Sequence, residues 1–122
     1  MAHVLIVDDE RIVSQSLEIQ LQRLGHTVLA IASTGEEAVD YALRLRPDIV
    51  LMDIMLRGEI DGVEAARRIR ARMHIPVIFA TACSDPETFA RAKATEPIGY
   101  LVKPFGKDEL QHALRPALDR EI

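Results

Sequence analysis

The sequence predicts an α/β fold in which a parallel sheet is covered by helices on both faces. Five apolar segments have the length of strands: 3–7, 26–32, 48–53, 75–81 and 98–102. Each is followed by a segment whose apolar residues have helical spacing. Five β-then-α units with short connections imply right-handed crossovers, and therefore a parallel sheet between two helical layers.

The composition of the strand segments separates the centre of the sheet from its edges. The first, third and fourth segments are nearly continuous in valine, isoleucine and leucine, which is typical of strands buried on both faces. Segments 26–32 and 98–102 alternate more, so we expect them nearer the edges.

Local signals mark the first two helices. One apolar stripe predicts the first helix: Val13, Leu17, Leu21 and Leu24. Gly25 is expected to end it. The second helix should begin at "STGEE", with Ser33 or Thr34 as its cap, and Pro47 should end it.

Similar signals mark the remaining three helices. Their apolar stripes comprise Val63, Ala66, Ile69 and Met73 in the third, and Leu110, Ala113, Leu114, Ala117 and Leu118 in the fifth. The fourth should begin at Asp85-Pro86-Glu87 and stop at Pro97. Pro116 falls inside the fifth stripe, where a proline costs ~3 kcal/mol, so that helix should kink there or end near Arg115.

Composition limits the function classes. The 122 residues fit one domain, 1–122, and 19 acidic against 15 basic residues give a net charge of −4, which disfavours nucleic-acid binding by the domain itself. The single cysteine, Cys83, excludes an internal disulfide and favours the cytoplasm. No apolar run approaches the ~20 residues of a membrane helix, and the N-terminus does not resemble a signal peptide.

Charged and polar residues follow the predicted strands. Asp8 and Asp9 come after the first strand and Asp53 ends the third, while Thr81 ends the fourth and Lys103 follows the fifth. Ligands of open parallel sheets bind beyond the carboxyl ends of the strands. The sequence therefore predicts one rim that carries three carboxylates, a hydroxyl and an ammonium group.

This set of groups suits phosphoryl transfer. Mg²⁺ prefers oxygen ligands, and beside it Asp53 becomes a plausible nucleophile toward a phosphoryl group. Lys103 could neutralise phosphate oxygens and Thr81 could donate a hydrogen bond to them. Taken alone, each residue also has an ordinary explanation: Asp8 and Asp9 could simply favour the positive end of the first helix.

Four segments, "LIVDDE", "DIVLMDIML…DG", "PVIFATA" and "YLVKPF", occur in this order along nearly the whole chain. In this combination the sequence resembles the receiver domain of two-component response regulators. The resemblance implies a single receiver domain with a flavodoxin-like, doubly wound sheet of five parallel strands in the order 2-1-3-4-5.

The resemblance also implies an acceptor and a metal site. Asp53 would accept a phosphoryl group from a sensor histidine kinase or a histidine phosphotransfer protein. Asp9, Asp53 and the backbone carbonyl of Met55 would bind Mg²⁺ directly, and Asp8 would act mainly through water. Glu10 is left outside this site and is expected in the first turn of the first helix.

The remaining family positions concern the response to phosphorylation. Thr81 and Lys103 would contact the phosphoryl group, and Tyr100 matches an aromatic position that changes rotamer together with Thr81. The face formed by the fourth helix, fifth strand and fifth helix would meet a downstream effector, and a homodimer is left open. The domain would be a signalling switch with self-catalysed phosphotransfer and autodephosphorylation, not a metabolic enzyme.

The loop after the acceptor departs from the family pattern. Arg57 stands where a proline is expected, and the loop to Asp61-Gly62 is one residue longer, so Arg57 could reach the phosphoryl group or the kinase. In this family Met55 and Cys83 would take the two variable positions beside the acceptor, and both are less polar than groups that could orient an attacking water.

Two other functions are compatible with the fold. An interaction module that no longer uses phosphate would not need the complete acidic, Thr81 and Lys103 set. A flavin-binding protein would need a phosphate-binding loop after the first strand, where this chain has Asp8-Asp9-Glu10. The sequence does not decide between a stand-alone regulator and a domain of a larger regulator or hybrid kinase.

Overall fold

The computed structural model describes residues 1–82 and 85–119, in which five strands alternate with five helices. The strands are β1 (His3–Val7), β2 (Thr27–Ala32), β3 (Ile49–Met52), β4 (Val77–Thr81) and β5 (Gly99–Val102). The helices are α1 (Arg11–Arg23), α2 (Gly35–Leu45), α3 (Gly62–Arg72), α4 (Pro86–Ala94) and α5 (Lys107–Asp119). None of these helices combines the length and the apolar character that a bilayer crossing requires.

All strand pairs are parallel and their order is β2-β1-β3-β4-β5, which confirms the predicted fold class and strand order. The two segments that alternate most in sequence lie at the two edges. Strands β1, β3 and β4 are buried on both faces over almost their whole length. The strands with continuous apolar sequence are therefore the central ones, as expected for a sheet with helices on both faces.

The two faces of the sheet hold separate apolar clusters. On one face, side chains of α2, α3 and α4 pack on strand residues such as Phe79. On the other, Leu17 and Leu21 of α1 and Leu110 and Leu114 of α5 pack on the sheet. Because successive strand side chains point to opposite faces, one five-residue strand contributes to both clusters. This arrangement leaves the carboxyl ends of the strands as the open rim of the sheet.

Three expectations about helix ends can now be judged. Thr34 is the cap of α2, since its hydroxyl accepts a hydrogen bond from the amide of Glu37 at 3.1 Å. The placement of Glu10 in the first turn of α1 is wrong: Glu10 is the extended residue that precedes the helix. An end near Arg115 is also wrong, because α5 continues through Pro116, whose missing amide leaves one carbonyl of the preceding turn without its helical donor.

A compact ion-pair cluster stabilises the exposed side of α3. Arg67 donates to Glu64 at 2.6 Å and Arg68 donates to it at 2.9 Å, three and four residues along the helix. The hydrogen bonds from Arg67 and Arg68 lower the pKa of Glu64 from 4.5 to about 2. Since the two arginine side chains are exposed, this cluster contributes little to the free energy of unfolding.

We expect the carboxylate of Glu64 to stay ionised down to about pH 2. Because its pKa is lowered on folding, the stability it adds is present above pH 4.5 and is lost as the pH falls toward 2. Carboxyl-carbon NMR titration measures this pKa directly. In the double variant Arg67→Ala, Arg68→Ala the pKa should return toward 4.5, and a wild-type value near 4.5 would contradict the prediction.

Candidate functional site

The sheet itself positions the charged residues of the rim. One residue past β1, β3 and β5, the backbone amides of Asp8, Asp53 and Lys103 each donate to a carbonyl of the neighbouring strand, at 3.0, 2.9 and 3.1 Å. These bonds continue the parallel ladder beyond the regular strands. The backbone of these three residues is therefore held in place by the same kind of hydrogen bonds as the strands.

The ammonium group of Lys103 lies between two carboxylates. Its Nζ donates to Asp8 Oδ2 at 2.6 Å and to Asp53 Oδ2 at 3.0 Å. All three side chains are largely buried, with exposed fractions of 14% for Lys103, 4% for Asp8 and 7% for Asp53. Hydrogen bonds to charged groups are strong in such surroundings.

The pKa of Lys103 reflects this environment. Desolvation alone would lower it, but the hydrogen bonds to Asp8 and Asp53 outweigh that effect and raise the pKa above 10.5. The stability gained from the charged form is therefore fully present below pH 10.5 and is lost only as the pH rises through the higher folded-state value.

Three carboxylates of the rim form a potential cation site. Asp8, Asp9 and Asp53 each offer an oxygen, and these three atoms lie within 4.8 Å of one another. Hard oxygen donors in this number are what Mg²⁺ prefers, so the residues fit the ion. Asp8 Oδ1 also accepts a hydrogen bond from the amide of Glu10 at 2.9 Å, so both oxygens of Asp8 have protein partners.

Met55 and Cys83 were expected beside the acceptor. Asp53 Oδ1 accepts a hydrogen bond from the backbone amide of Met55 at 3.3 Å, so Met55 adjoins Asp53 through its backbone. The Met55 side chain is 65% exposed. Cys83 lies outside the described residues.

Thr81 and Tyr100 lie on adjacent strands. Thr81, the last residue of β4, is buried, and Tyr100 pairs with Phe79 two residues before it. Because side chains alternate along a strand, Phe79, Thr81 and Tyr100 point to the same face of the sheet. The ring of Tyr100 stacks between Phe79, at a centroid distance of 6.0 Å, and Phe89 of α4, at 4.7 Å.

The Tyr100 hydroxyl is buried below this stack. Among the described residues no group forms a hydrogen bond with it, and burial raises its pKa. A buried hydroxyl without a hydrogen-bond partner costs free energy, so the inward position of the Tyr100 side chain carries an energetic penalty. The structure thus brings Asp8, Asp9, Asp53 and Lys103 into one contact group, with Thr81 at the end of the neighbouring strand.

Helix α2 holds the longer loop after Asp53, a contact that the sequence did not indicate. Glu36 Oε1 accepts from the amide of Ile60 at 3.0 Å, and Gly58, with φ +102°, lies against the other oxygen of Glu36. The backbone of Arg57 forms a parallel bridge with Thr34. In sequence Glu36 is only an acidic residue in the first turn of a helix, so no local signal distinguishes it.

The fold is shared with known proteins, and a family model establishes the family. The model described as the response regulator receiver domain matches residues 4–115. The chain belongs to the response regulator receiver family. It is thereby a domain of two-component signal transduction, as its sequence motifs predicted.

Solved structures and curated relatives agree with this assignment. The receiver domain superposes with a TM-score of 0.93 on the signal receiver domain of a modulated diguanylate cyclase from Desulfovibrio desulfuricans, at 48% identity over 98% of this chain and 95% of that one. A receiver domain of a sensor histidine kinase from Pseudomonas aeruginosa, with magnesium coordinated in its active-site cleft, is 32% identical with a TM-score of 0.85, over 95% and 97% of the two chains.

The curated relatives are longer than this chain. The transcriptional regulatory protein PdtaR of Mycobacterium tuberculosis is 34% identical over 96% of this chain and 57% of its own length. AfsQ1 of Streptomyces coelicolor is 35% identical over 98% of this chain and 52% of its own. The receiver domain thus spans about half the length of these transcriptional regulators.

Proposed function

We propose that this receiver domain is a phosphorylation-dependent signalling switch whose acceptor is Asp53. The observation that carries the proposal is the position of Lys103, whose ammonium group joins the buried carboxylates of Asp8 and Asp53. An ammonium group that bridges two carboxylates, with a third carboxylate nearby, suits a site in which negative charge moves during a reaction.

The phosphoryl donor is a phosphohistidine of a sensor histidine kinase or a histidine phosphotransfer protein. A carboxylate oxygen of Asp53 attacks phosphorus and forms a P–O bond while the P–N bond to the donor's imidazole breaks. The electron pair of that bond stays on the ring nitrogen, and Asp53 becomes an acyl phosphate. Lys103 then serves as a fixed positive charge for the phosphoryl oxygens, and Thr81 contributes a hydrogen bond.

The acidic residues of the rim would hold Mg²⁺. Asp9, Asp53 and the Met55 carbonyl would be the direct ligands, and Asp8, whose oxygens accept from Lys103 and the Glu10 amide, would act mainly through water. When bound, Mg²⁺ neutralises negative charge on the phosphoryl group and the attacking carboxylate. The magnesium bound by the Pseudomonas relative supports this assignment.

Phosphorylation then changes the surface around β5. Thr81 turns toward the phosphoryl group, and Tyr100 changes rotamer together with it. These two changes alter the face formed by α4, β5 and α5. Phe89 and Val102 on this face are 48% and 65% exposed, so they are available to an effector or a second copy of the domain. The product is a signal and not a metabolite, and the domain acts in the cytoplasm without contacting nucleic acid itself.

Incubation with acetyl phosphate and Mg²⁺ tests this function. Intact-mass spectrometry should detect one phosphoryl adduct on the wild type and none on Asp53→Asn. Asp40→Asn, which changes an exposed carboxylate paired with Arg44 on α2, is the matched control and should keep the adduct. A wild type without an adduct would contradict the proposal, and an adduct on Asp53→Asn would exclude Asp53 as the acceptor.

A further inference from the structure

Arg57 supplies a second positive charge to the rim. Its Nε lies 3.7 Å from Asp9 Oδ2, and its side chain is 87% exposed while that of Asp9 is 16% exposed. The contact is longer than a hydrogen bond. Lys103, by contrast, is buried and held by two short hydrogen bonds. The rim therefore has one fixed cation and one that is loosely held.

The backbone of the loop keeps Arg57 near Asp9 whether or not the two side chains touch. The bridge between Arg57 and Thr34 attaches the residue to the start of α2, and the bond from Ile60 to Glu36 attaches the end of the loop to the same helix. The guanidinium group is free to swing away, but its base stays beside the acidic cluster.

We propose that Arg57 is a displaceable counter-cation for Asp9 that competes with Mg²⁺ and so lowers the affinity of the site for the metal. This inference rests on the metal site of the proposed function. A guanidinium group has no lone pair with which to bind a metal, and it is repelled by a divalent cation at the same carboxylate. Mg²⁺ at Asp9 therefore opposes the contact between Asp9 and Arg57, and that contact in turn opposes binding of the metal.

The difference in exposure between Lys103 and Arg57 determines which of the two side chains moves away when Mg²⁺ binds. Lys103 would break two short hydrogen bonds in buried surroundings, whereas Arg57 would break one long contact and regain full hydration. Exposed ion pairs are weak, so the expected cost to Mg²⁺ affinity is about two- to fivefold at low ionic strength. The site would then bind Mg²⁺ more weakly than its three carboxylates alone would allow.

Calorimetric titration with MgCl2 in low-salt buffer tests the inference without any phosphorylation. Arg57→Ala should bind Mg²⁺ about two- to fivefold more tightly than the wild type. Arg11→Ala is the matched control, because Arg11 is exposed and lines the same depression as Asp8 and Asp9. Its affinity should change by less than about 1.5-fold, since no ion pair with Asp9 is lost.

Three outcomes would overturn the inference. Arg57→Ala could leave the affinity unchanged or weaken it, which would exclude competition. An equal gain in Arg11→Ala would show a general effect of net charge. A wild type that binds no Mg²⁺ would contradict the metal site of the proposed function as well, so the two failures are distinguishable.

Discussion

Lys103→Met is expected to lower the free energy of unfolding by about 3–5 kcal/mol at neutral pH. Methionine keeps most of the apolar length of the lysine side chain but removes its charge. Asp8 and Asp53 would then be two buried carboxylates without their shared cation, and Asp9 lies in the same cluster. Breaking a buried ion pair in this way is costly because the remaining charges stay desolvated.

Urea unfolding followed by circular dichroism measures this loss. The matched control is Lys93→Met, which removes an exposed lysine of α4 and should change the free energy of unfolding by less than about 0.5 kcal/mol. Adding Mg²⁺ should restore part of the stability of Lys103→Met, because a divalent cation replaces the missing charge. Equal stability of the two lysine variants would mean that Lys103 does not neutralise the rim.

Gly62→Ala is expected to cost about 3 kcal/mol or more and to disturb the acceptor. A Cβ atom on Gly62 would overlap the backbone carbonyl oxygen of Asp53 and would lie 2.9 Å from the Cα of Ile54. Both neighbours are backbone atoms, which cannot move aside as the end of a side chain can. The amide of Gly62 also donates to the carbonyl of Ile54 at 2.8 Å, so the start of α3 is held against the segment that directly follows Asp53.

Gly99→Ala is the matched control for this prediction. Gly99 begins β5, and a Cβ atom there would meet nothing within 4 Å. The same substitution should therefore leave stability unchanged or raise it by up to about 1 kcal/mol. Thermal unfolding of both variants measures the difference, and acetyl phosphate labelling of Gly62→Ala should be slower than that of Gly99→Ala. A stable, normally labelled Gly62→Ala would show that the close approach is not required.

The fold and the centre of the site could be predicted because both follow from strand positions. Apolar continuity located β1, β3 and β4, and the rule that ligands bind at the carboxyl ends of parallel strands brought Asp8, Asp53 and Lys103 together before any coordinates. Their separation along the chain did not matter, since the sheet places each strand end on the same rim.

The contacts of the loop after Asp53 could not be predicted. They depend on the path of a segment one residue longer than usual, and neither periodicity nor turn chemistry determines where such a path touches α2. The sequence therefore contains no sign of the contact of Glu36 with the loop, and it suggests that Arg57 could reach the phosphoryl group or the kinase but not that it contacts Asp9. Of the two alternatives at Pro116, the end near Arg115 fails for another reason: packing of Leu114 and Ala117 in the apolar cluster on this face of the sheet outweighs the lost hydrogen bond.

The backbone hydrogen bonds one residue past β1, β3 and β5 separate the charged residues of the rim from the loops that follow them. Asp53 and Lys103 are attached to the sheet by their own backbone amides, ahead of the loops that follow them. The loop after Asp53, which carries Arg57, can therefore vary without shifting the position from which Asp53 would react in the function we propose. For the function we propose, metal affinity and partner choice can thus be tuned in this loop while the capacity of Asp53 to be phosphorylated is kept.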